Sequence, residues 1–375
     1  MRWLLLLSMV LAGNTSAQNN APECATKLRA VIDMGSGTTK LNLGEVEICK
    51  KTLKLVRFIE QESTRAVPLE ASKNPRGEIP IEAQERALTA LRELRAEAGQ
   101  WARKNGFDEF EVAVVGTHAL RTARNRAAIM KQIEAAGFSI KALSHDEEAR
   151  AGFAAVAGSP LPLGCAKDSL LVWDVGGGST QFVRAQKGKP ALVKFDLGAE
   201  NFRKKIRSTF KPPEVADCPV NSGSPNPLGR DGFEKARRLV RQEARLNLKK
   251  LQSQKACVVG IGGVHTKAVA AQIQKNWPAL KACACPTTGP CQSRENGYSK
   301  KELECLGKEF ADKSDCAAEI KGPYAATSVS NLALILGFID QLGVEQIHTA
   351  KVNIGHHFVA GDPDLKFKKS AAAPQ

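Results

Sequence analysis

The residues best placed to do chemistry lie in two glycine-rich turns, AVIDMGSGTTK from Ala30 to Lys40 and LLVWDVGGGSTQ from Leu170 to Gln181. Each turn closes an apolar, β-branched run on an aspartate. Gly35, Gly37, Gly176, Gly177 and Gly178 let backbone N–H groups approach an anion, and Ser36, Thr38, Ser179 and Thr180 add hydroxyl donors. A carboxylate inside such a cradle repels phosphate unless a cation intervenes, so Asp33 and Asp174 imply bound Mg²⁺ or another divalent cation. Either turn alone reads as an ordinary hairpin. Together, in matching strand contexts, they imply two duplicated lobes facing each other across a phosphate. Neither is a P-loop, because G-x4-G-K-[ST] is absent, and neither has the G-x-G-x-x-G order that opens a dinucleotide-binding helix.

The stretch Leu143 to Arg150 adds a candidate base. With Ser144 as N-cap, Glu147 falls at N3 and completes a capping box. Glu148 has no capping duty, so near two phosphate turns it could activate a water for attack on phosphorus. The plainer reading is an acidic residue complementing the helix dipole. Arg121 and Arg124 stand at i, i+3 and can share a helix face, where arginine suits bidentate phosphate contact. His118, His265, His356 and His357 lack partners at ligand spacing and read as structural or surface residues. No G-x-S-x-G elbow or H-E-x-x-H motif supports a serine hydrolase or zinc protease.

The elements that must position these groups alternate strand and helix, giving an α/β chain. Strand patterns cover Leu28 to Met34, Leu41 to Ile48 and Leu53 to Ile59. A helix follows over Ile81 to Lys104, with Leu88, Leu91 and Leu94 on its apolar stripe. An apolar run at Val112 to Val115 precedes a helix expected from Ala119 to Ala135, capped by Thr117, and a short strand at Phe138 to Leu143. The second half repeats the scheme around the strand at Ser169 to Trp173. A Pro/Gly/Ser-rich loop is expected at Pro212 to Gly229, a basic helix at Asp231 to Leu251, a third glycine turn at Gly260 to Gly263, and a helix at Tyr324 to Leu342.

At 375 residues the length favours two domains. Arg2, the apolar Trp3 to Ala12 and the small residues Thr15-Ser16-Ala17 read as a signal peptide over 1–17, too short to span a bilayer. The expected divisions are an N-terminal domain at 18–143, a C-terminal domain at 144–367 carrying a cysteine-rich insertion at about 276–322, and a disordered tail at 368–375. Ten cysteines, all after the cleavage site, fit disulfides in an oxidising compartment, periplasmic or secreted. Cys283, Cys285 and Cys291 could instead hold zinc, but lack paired C-x2-C spacing and a nearby histidine. A net charge of +15 attracts polyanions. Aromatics at 5% supply few stacking platforms, so no specific nucleic acid is expected. No membrane span is expected in the mature chain, and a homodimer is compatible with the sequence.

Several segments in order resemble the exopolyphosphatase/guanosine pentaphosphate phosphatase (Ppx/GppA) family of the actin-like, hexokinase-like ATPase-fold superfamily: VIDMGSGTTK, VVGTHALRTARN, Asp146 to Arg150, WDVGGGSTQ, DLGAENF and VVGIGGVHTKAVA. The resemblance spans roughly Leu28 to Asp362. It implies two facing actin-like (ribonuclease H-like) domains with a cleft between them, and hydrolysis of terminal phosphoanhydride bonds. It matches Asp33 and Asp174 to the aspartates of the phosphate turns, Arg121 to a phosphate-contacting arginine and Glu148 to the catalytic base. The family usually has glutamate after G-G-G-S-T, whereas this chain has Gln181. The related apyrases carry glutamine there, so an amide that orients the lytic water is still compatible with hydrolysis. The chain also lacks the long C-terminal helical domain of the larger members.

The function expected is therefore that of an exported, metal-dependent phosphoanhydride hydrolase acting on inorganic polyphosphate or nucleotide polyphosphates. The alternatives are a non-catalytic polyphosphate or nucleotide sensor, motivated by Gln181 and the basic surface, and a cysteine-stabilised adhesion or nucleic-acid-binding protein.

Overall fold

The computed structural model describes residues 24–372 apart from 50–51, 163, 187–189, 211–217, 219–222, 252–255, 286–294 and 323. The expected signal peptide, Cys291, the last residues of the tail and most of the expected loop at 212–229 lie outside the described residues. In the first half, the alternating apolar pattern forms an antiparallel meander of β1 (Cys24–Met34), β2 (Thr38–Cys49) and β3 (Thr52–Ala66), followed by β4 (Glu109–Gly116) parallel to β1 and β5 (Ile140–Ala142) parallel to β4. The second half repeats the plan. β6 (Leu170–Val175), β7 (Thr180–Arg184) and β8 (Ala191–Phe195) form the meander, β9 (Cys257–Ile261) runs parallel to β6, and β10 (Gly297–Ser299) and β11 (Gln346–Thr349) complete the sheet beyond it. The chain ends on β12 (Lys368–Ala371). The two sheets read β12-β4-β1-β2-β3, with β5 on β4, and β10-β11-β9-β6-β7-β8.

Helices cover both faces of each sheet. In the first lobe the helix Ile81–Lys104 buries Leu91, Leu94 and Ala98 against the sheet, in one core with Leu28, Ile32 and Val112. In the second, Gly229–Leu248 and Ala325–Leu342 pack so closely that a Cβ on Gly337 would lie 2.5 Å from Val240 Cβ. Ala325–Leu342 is long and apolar enough to cross a membrane, but 83% of it is buried inside the protein. Its apolar surface, Phe338 included, covers the second sheet in one core with Trp173 and Phe182.

Two expectations change. The helix expected over 119–135 is two, His118–Thr122 and Arg126–Ala135. Thr117 makes no side-chain cap, Ala123 between the helices is extended, and the Asn125 amide is spent on the backbone of Ile79, at 3.1 and 2.8 Å. The cysteine-rich segment contributes to the core. Tyr298, Leu303, Leu306 and Phe310 are fully buried in the core of the second lobe. The tail expected to be disordered instead pairs antiparallel with β4 through Lys368–Ala371.

Cysteines join Cys24 to Cys49, Cys165 to Cys257, Cys218 to Cys316 and Cys283 to Cys305, and Cys285 is also disulfide-bonded. Cys283 is thereby spent on a disulfide rather than on zinc. Such pairs suit an oxidising compartment.

Candidate active site

The duplication places two aspartates at equivalent points. Asp33 is the penultimate residue of β1 and Asp174 that of β6, and each is followed by a turn closed in the same way, with Gly35 N donating to Thr38 O and Gly176 N to Ser179 O, both at 2.9 Å. The turns meet: a Cβ on Gly177 would lie 3.0 Å from Ser36 Cβ. A third turn follows β9. Gly262 there has φ +86°, and a Cβ would lie 2.7 Å from Asp174 Oδ1, so both backbone strain and space require glycine.

One cavity lies between these turns. Its wall includes Asp33, Gly35, Ser36, Gly37 and Thr38 from the first lobe, Asp174, Gly176, Gly177, Gly178 and Ser179 from the second, and Glu148. Glu148 reaches it from the helix His145–Ala157. Ser144 accepts from Glu147 N at 3.2 Å while Glu147 Oε2 accepts from Ser144 N at 2.8 Å. The capping box thus consumes Glu147 and leaves Glu148 pointing inward, where Oε2 accepts from Arg121 Nη1 at 2.7 Å. Arg121 Nη1 also donates to Leu143 O, at 3.1 Å.

Burial governs the titration of this cluster. It pushes Glu148 up to about 7, opposed by the Arg121 guanidinium and reinforced by Asp174 and Asp33. Asp33 and Asp174 are each lifted to about 6 by burial, with Lys40 pulling both down and Asp33 adding to the rise of Asp174. Asp33 Oδ1 is buried and meets no donor among the described residues. Three desolvated carboxyl groups on one cavity form a hard-oxygen donor set suited to a divalent cation. Two other groups bring ligand atoms close together, Cys165/Cys257/His348 and Cys24/Glu47/Cys49, but in each the two sulfurs are already bonded to each other.

Not every expected residue is on the wall. Thr180 turns away, its hydroxyl donating to Leu197 O at 2.6 Å, so it anchors the segment entering the helix Ala199–Phe210 instead of meeting phosphate. Gln181 is buried behind the turn, where Nε2 donates to Ser179 Oγ at 2.8 Å. There it sets the Ser179 hydroxyl, and it is not among the residues lining the cavity. Arg121 acts through Glu148, and its Nη2 has no acceptor among the described residues.

The sequence reading missed Lys40, Glu200, Lys267, Tyr324 and Asn331, all of which line the cavity. Lys40 had a usable signal. It pairs across the hairpin with Asp33 as Gln181 does with Asp174, so the equal length of the two turns marks it. His118, read as structural, is buried, and its ring occupies the space that a Cβ on Gly178 would need, at 2.1 Å from Cδ2. Burial holds its pKa below the ordinary value; Glu70 opposes, while Arg121 and Lys73 add to the fall. His265 is fully buried against Tyr298, its Nδ1 2.5 Å from the hydroxyl, and is structural as expected.

Known proteins match this arrangement. The profile of the Ppx/GppA phosphatase family matches residues 47–285. A bifunctional 3-dehydroquinate synthase/phosphatase from Fusobacterium nucleatum is 27% identical over 181 residues, 48% of this chain and 26% of that protein. The chain thus spans about a quarter of that relative's length. The Aquifex aeolicus PPX-GPPA enzyme superposes with a TM-score of 0.62 at 17% identity, covering 90% of this chain and 99% of that one. An exopolyphosphatase from Cytophaga hutchinsonii superposes with a TM-score of 0.61 at 16% identity, covering 90% and 100%. These structural likenesses establish the two-lobed fold.

Proposed function

The chain belongs to the Ppx/GppA phosphatase family, and on that premise we propose that it hydrolyses terminal phosphoanhydride bonds of inorganic polyphosphate or nucleoside polyphosphates. One observation carries the reading: a buried carboxyl group lifted to about 7, Glu148, shares a cavity with two facing glycine turns. The turns bind the terminal phosphate through backbone N–H groups and the Ser36, Thr38 and Ser179 hydroxyls. Glu148 takes a proton from water as the water oxygen bonds to phosphorus and the bond to the bridging oxygen breaks, the leaving phosphate departing with that electron pair. Arg121 holds Glu148 in place, and Gln181 sets Ser179. Asp33 and Asp174 would hold Mg²⁺ or another divalent cation, which would supply charge neutralisation at the phosphates. The exopolyphosphatase of C. hutchinsonii named above supports the polyphosphate half of this substrate range. The disulfides support the expectation that the protein works outside the cytosol, in a periplasm or secreted.

Replacing Glu148 by Gln tests the assignment. The variant should keep its fold and its phosphate affinity but lose about 10²–10⁴-fold in turnover, measured as phosphate release with Mg²⁺ present. Full turnover in the variant would remove Glu148 from the mechanism. The second reading, a sensor that binds the same ligands without cleaving them, is favoured by the neutral Gln181, and binding without any phosphate release from wild type would select it.

A further inference from the structure

The helix Gly229–Leu248 presents a face that the cavity does not use. Its inner side, Phe233, Ala236, Val240, Ala244 and Leu248, is buried in the core of the second lobe. Its outer side changes character along its length. The first turns mix signs: Asp231 pairs with Lys235 at 2.5 Å and feels Arg238 from farther away, and Glu234 lies 3.7 Å from Arg237. From there Arg238, Arg241, Arg245 and Lys249 follow at i, i+3, i+7 and i+11, all exposed, as one stripe about 16 Å long. The acids that border this stripe are spent. Glu243 turns to Lys205, and Asp340 is taken by Arg237 at 2.7 Å and Lys300 at 3.1 Å, with Arg241 4.0 Å away. Arg238, Arg245 and Lys249 form no ion pair among the described residues. Beside Arg245 stands Leu246, 84% exposed, against 53% for Val56 and 50% for Ile81, the other exposed large apolar side chains among the described residues.

The stripe lies off the path into the cavity. Thr327 is on the cavity wall, and Asp340, which meets Arg237, is about 20 Å farther along the helix Ala325–Leu342. Beyond Arg237 the basic helix leads on to Leu251, whose carbonyl accepts from Arg184 Nη1 at 3.2 Å, at the end of β7 opposite the glycine turn. An outward helix face is convex. Single-stranded polyanions are gripped in grooves, and nucleic acid adds aromatic stacking platforms, of which this stripe has none. A lipid surface instead presents its phosphates in a plane and admits an apolar side chain among them. We propose that the outer face of Arg238 to Lys249 docks the protein on an anionic phospholipid surface, with the three arginines and Lys249 on headgroup phosphates and Leu246 inserted beside them. No segment crosses the bilayer, and the cavity at the other end of the lobe stays open to solution. This docking is independent of the hydrolase reading and would hold for a sensor as well.

Sedimentation of the full chain with phosphatidylcholine vesicles, and with vesicles of phosphatidylcholine and phosphatidylglycerol in equal parts, reads the docking. The wild type should partition onto the anionic vesicles at least about 10²-fold more strongly than onto the neutral ones. Equal partition on the two overturns the proposal, and this arm needs no variant to fold. Glutamine keeps the helix propensity of arginine and lysine. Replacing Arg238, Arg245 and Lys249 together by Gln removes three charges worth about fivefold each, so the triple variant should lose about 10²-fold on anionic vesicles. Leu246→Ser should lose up to about tenfold there. Residues 1–17 are common to all these chains, so the differences among them read the helix alone. A triple variant that sediments as the wild type does removes the stripe from docking. A wild type that ignores anionic vesicles, yet binds long-chain polyphosphate or duplex DNA in a way the triple variant does not, makes the stripe a site for soluble polyanions and likewise ends the proposal.

Discussion

A carboxyl group of ordinary proton affinity is a weak base at neutral pH; burial lifts Glu148 to about 7, where it is substantially ionised and still basic enough to take a proton from water. Phosphate release should therefore rise with pH on an acid limb centred near 7. Arg121 opposes that lift, so Arg121→Gln should move the limb to higher pH and reduce activity at pH 7 beyond any loss of phosphate affinity. A pH–rate profile in which the limb stays put or moves down would mean that Glu148 is not the titrating base. At this scale the sequence was readable wherever a local rule divided the labour between neighbours. The capping box assigns Glu147 to the helix start and releases Glu148. The place of Asn331 on the cavity wall was unreadable, because it sits on an apolar core helix and nothing beside it in the chain signals a cavity.

At the scale of elements, the alignment of the two phosphate turns depends on a ring seated against a glycine. The imidazole of His118, from the first lobe, fills the space over Gly178, in the second. Gly178→Ala should push the ring aside and cost about 1–3 kcal/mol of stability, as other overpacked sites do. Adding His118→Ala should recover part of that loss, giving a clearly non-additive double-mutant cycle in denaturant unfolding. Additive effects would show that the two residues do not share the contact. Strands were legible because alternation marks them, and β1, β2 and β3 extend the expected segments with the same turns between them. The helix expected over 119–135 failed because tertiary demand overrode propensity, with Asn125 closing on Ile79 in place of continuing the helix. The buried Tyr298 and Phe310 show what cysteine and lysine content did not reveal about 276–322. Composition described its surface, whereas a few large apolar residues decided its place.

For the whole molecule, the carboxyl cluster should make folding depend on both pH and divalent cation. Asp33, Asp174 and Glu148 have ordinary values of 3.8, 3.8 and 4.5 and are lifted in the native state to about 6, 6 and 7. Between these limits the native protein holds more protons than the unfolded chain, so this contribution to stability is full below about pH 4 and is lost as pH rises through about 7. A divalent cation bound to the ionised cluster should reverse the trend. Scanning calorimetry in chelator should thus show Tm falling across this window, and Mg²⁺ should raise Tm most near pH 7; a Tm that ignores both pH and Mg²⁺ would deny that Asp33 and Asp174 form a buried cation site beside Glu148. The duplicated two-lobed plan was visible in the paired turns, but the route of the chain was not. The helix Ile354–Ala360 packs on Val31, Ala113 and Val115, and β12 then covers the edge of β4. The first lobe is consequently stitched from two distant stretches of the gene product, while the second sheet is a contiguous cassette spliced between them. Cutting after 143 would divide the first lobe, stripping β4 of its partner strand and β1 of its covering helix, so independent expression is open to the second lobe as one piece and to the first only by joining two.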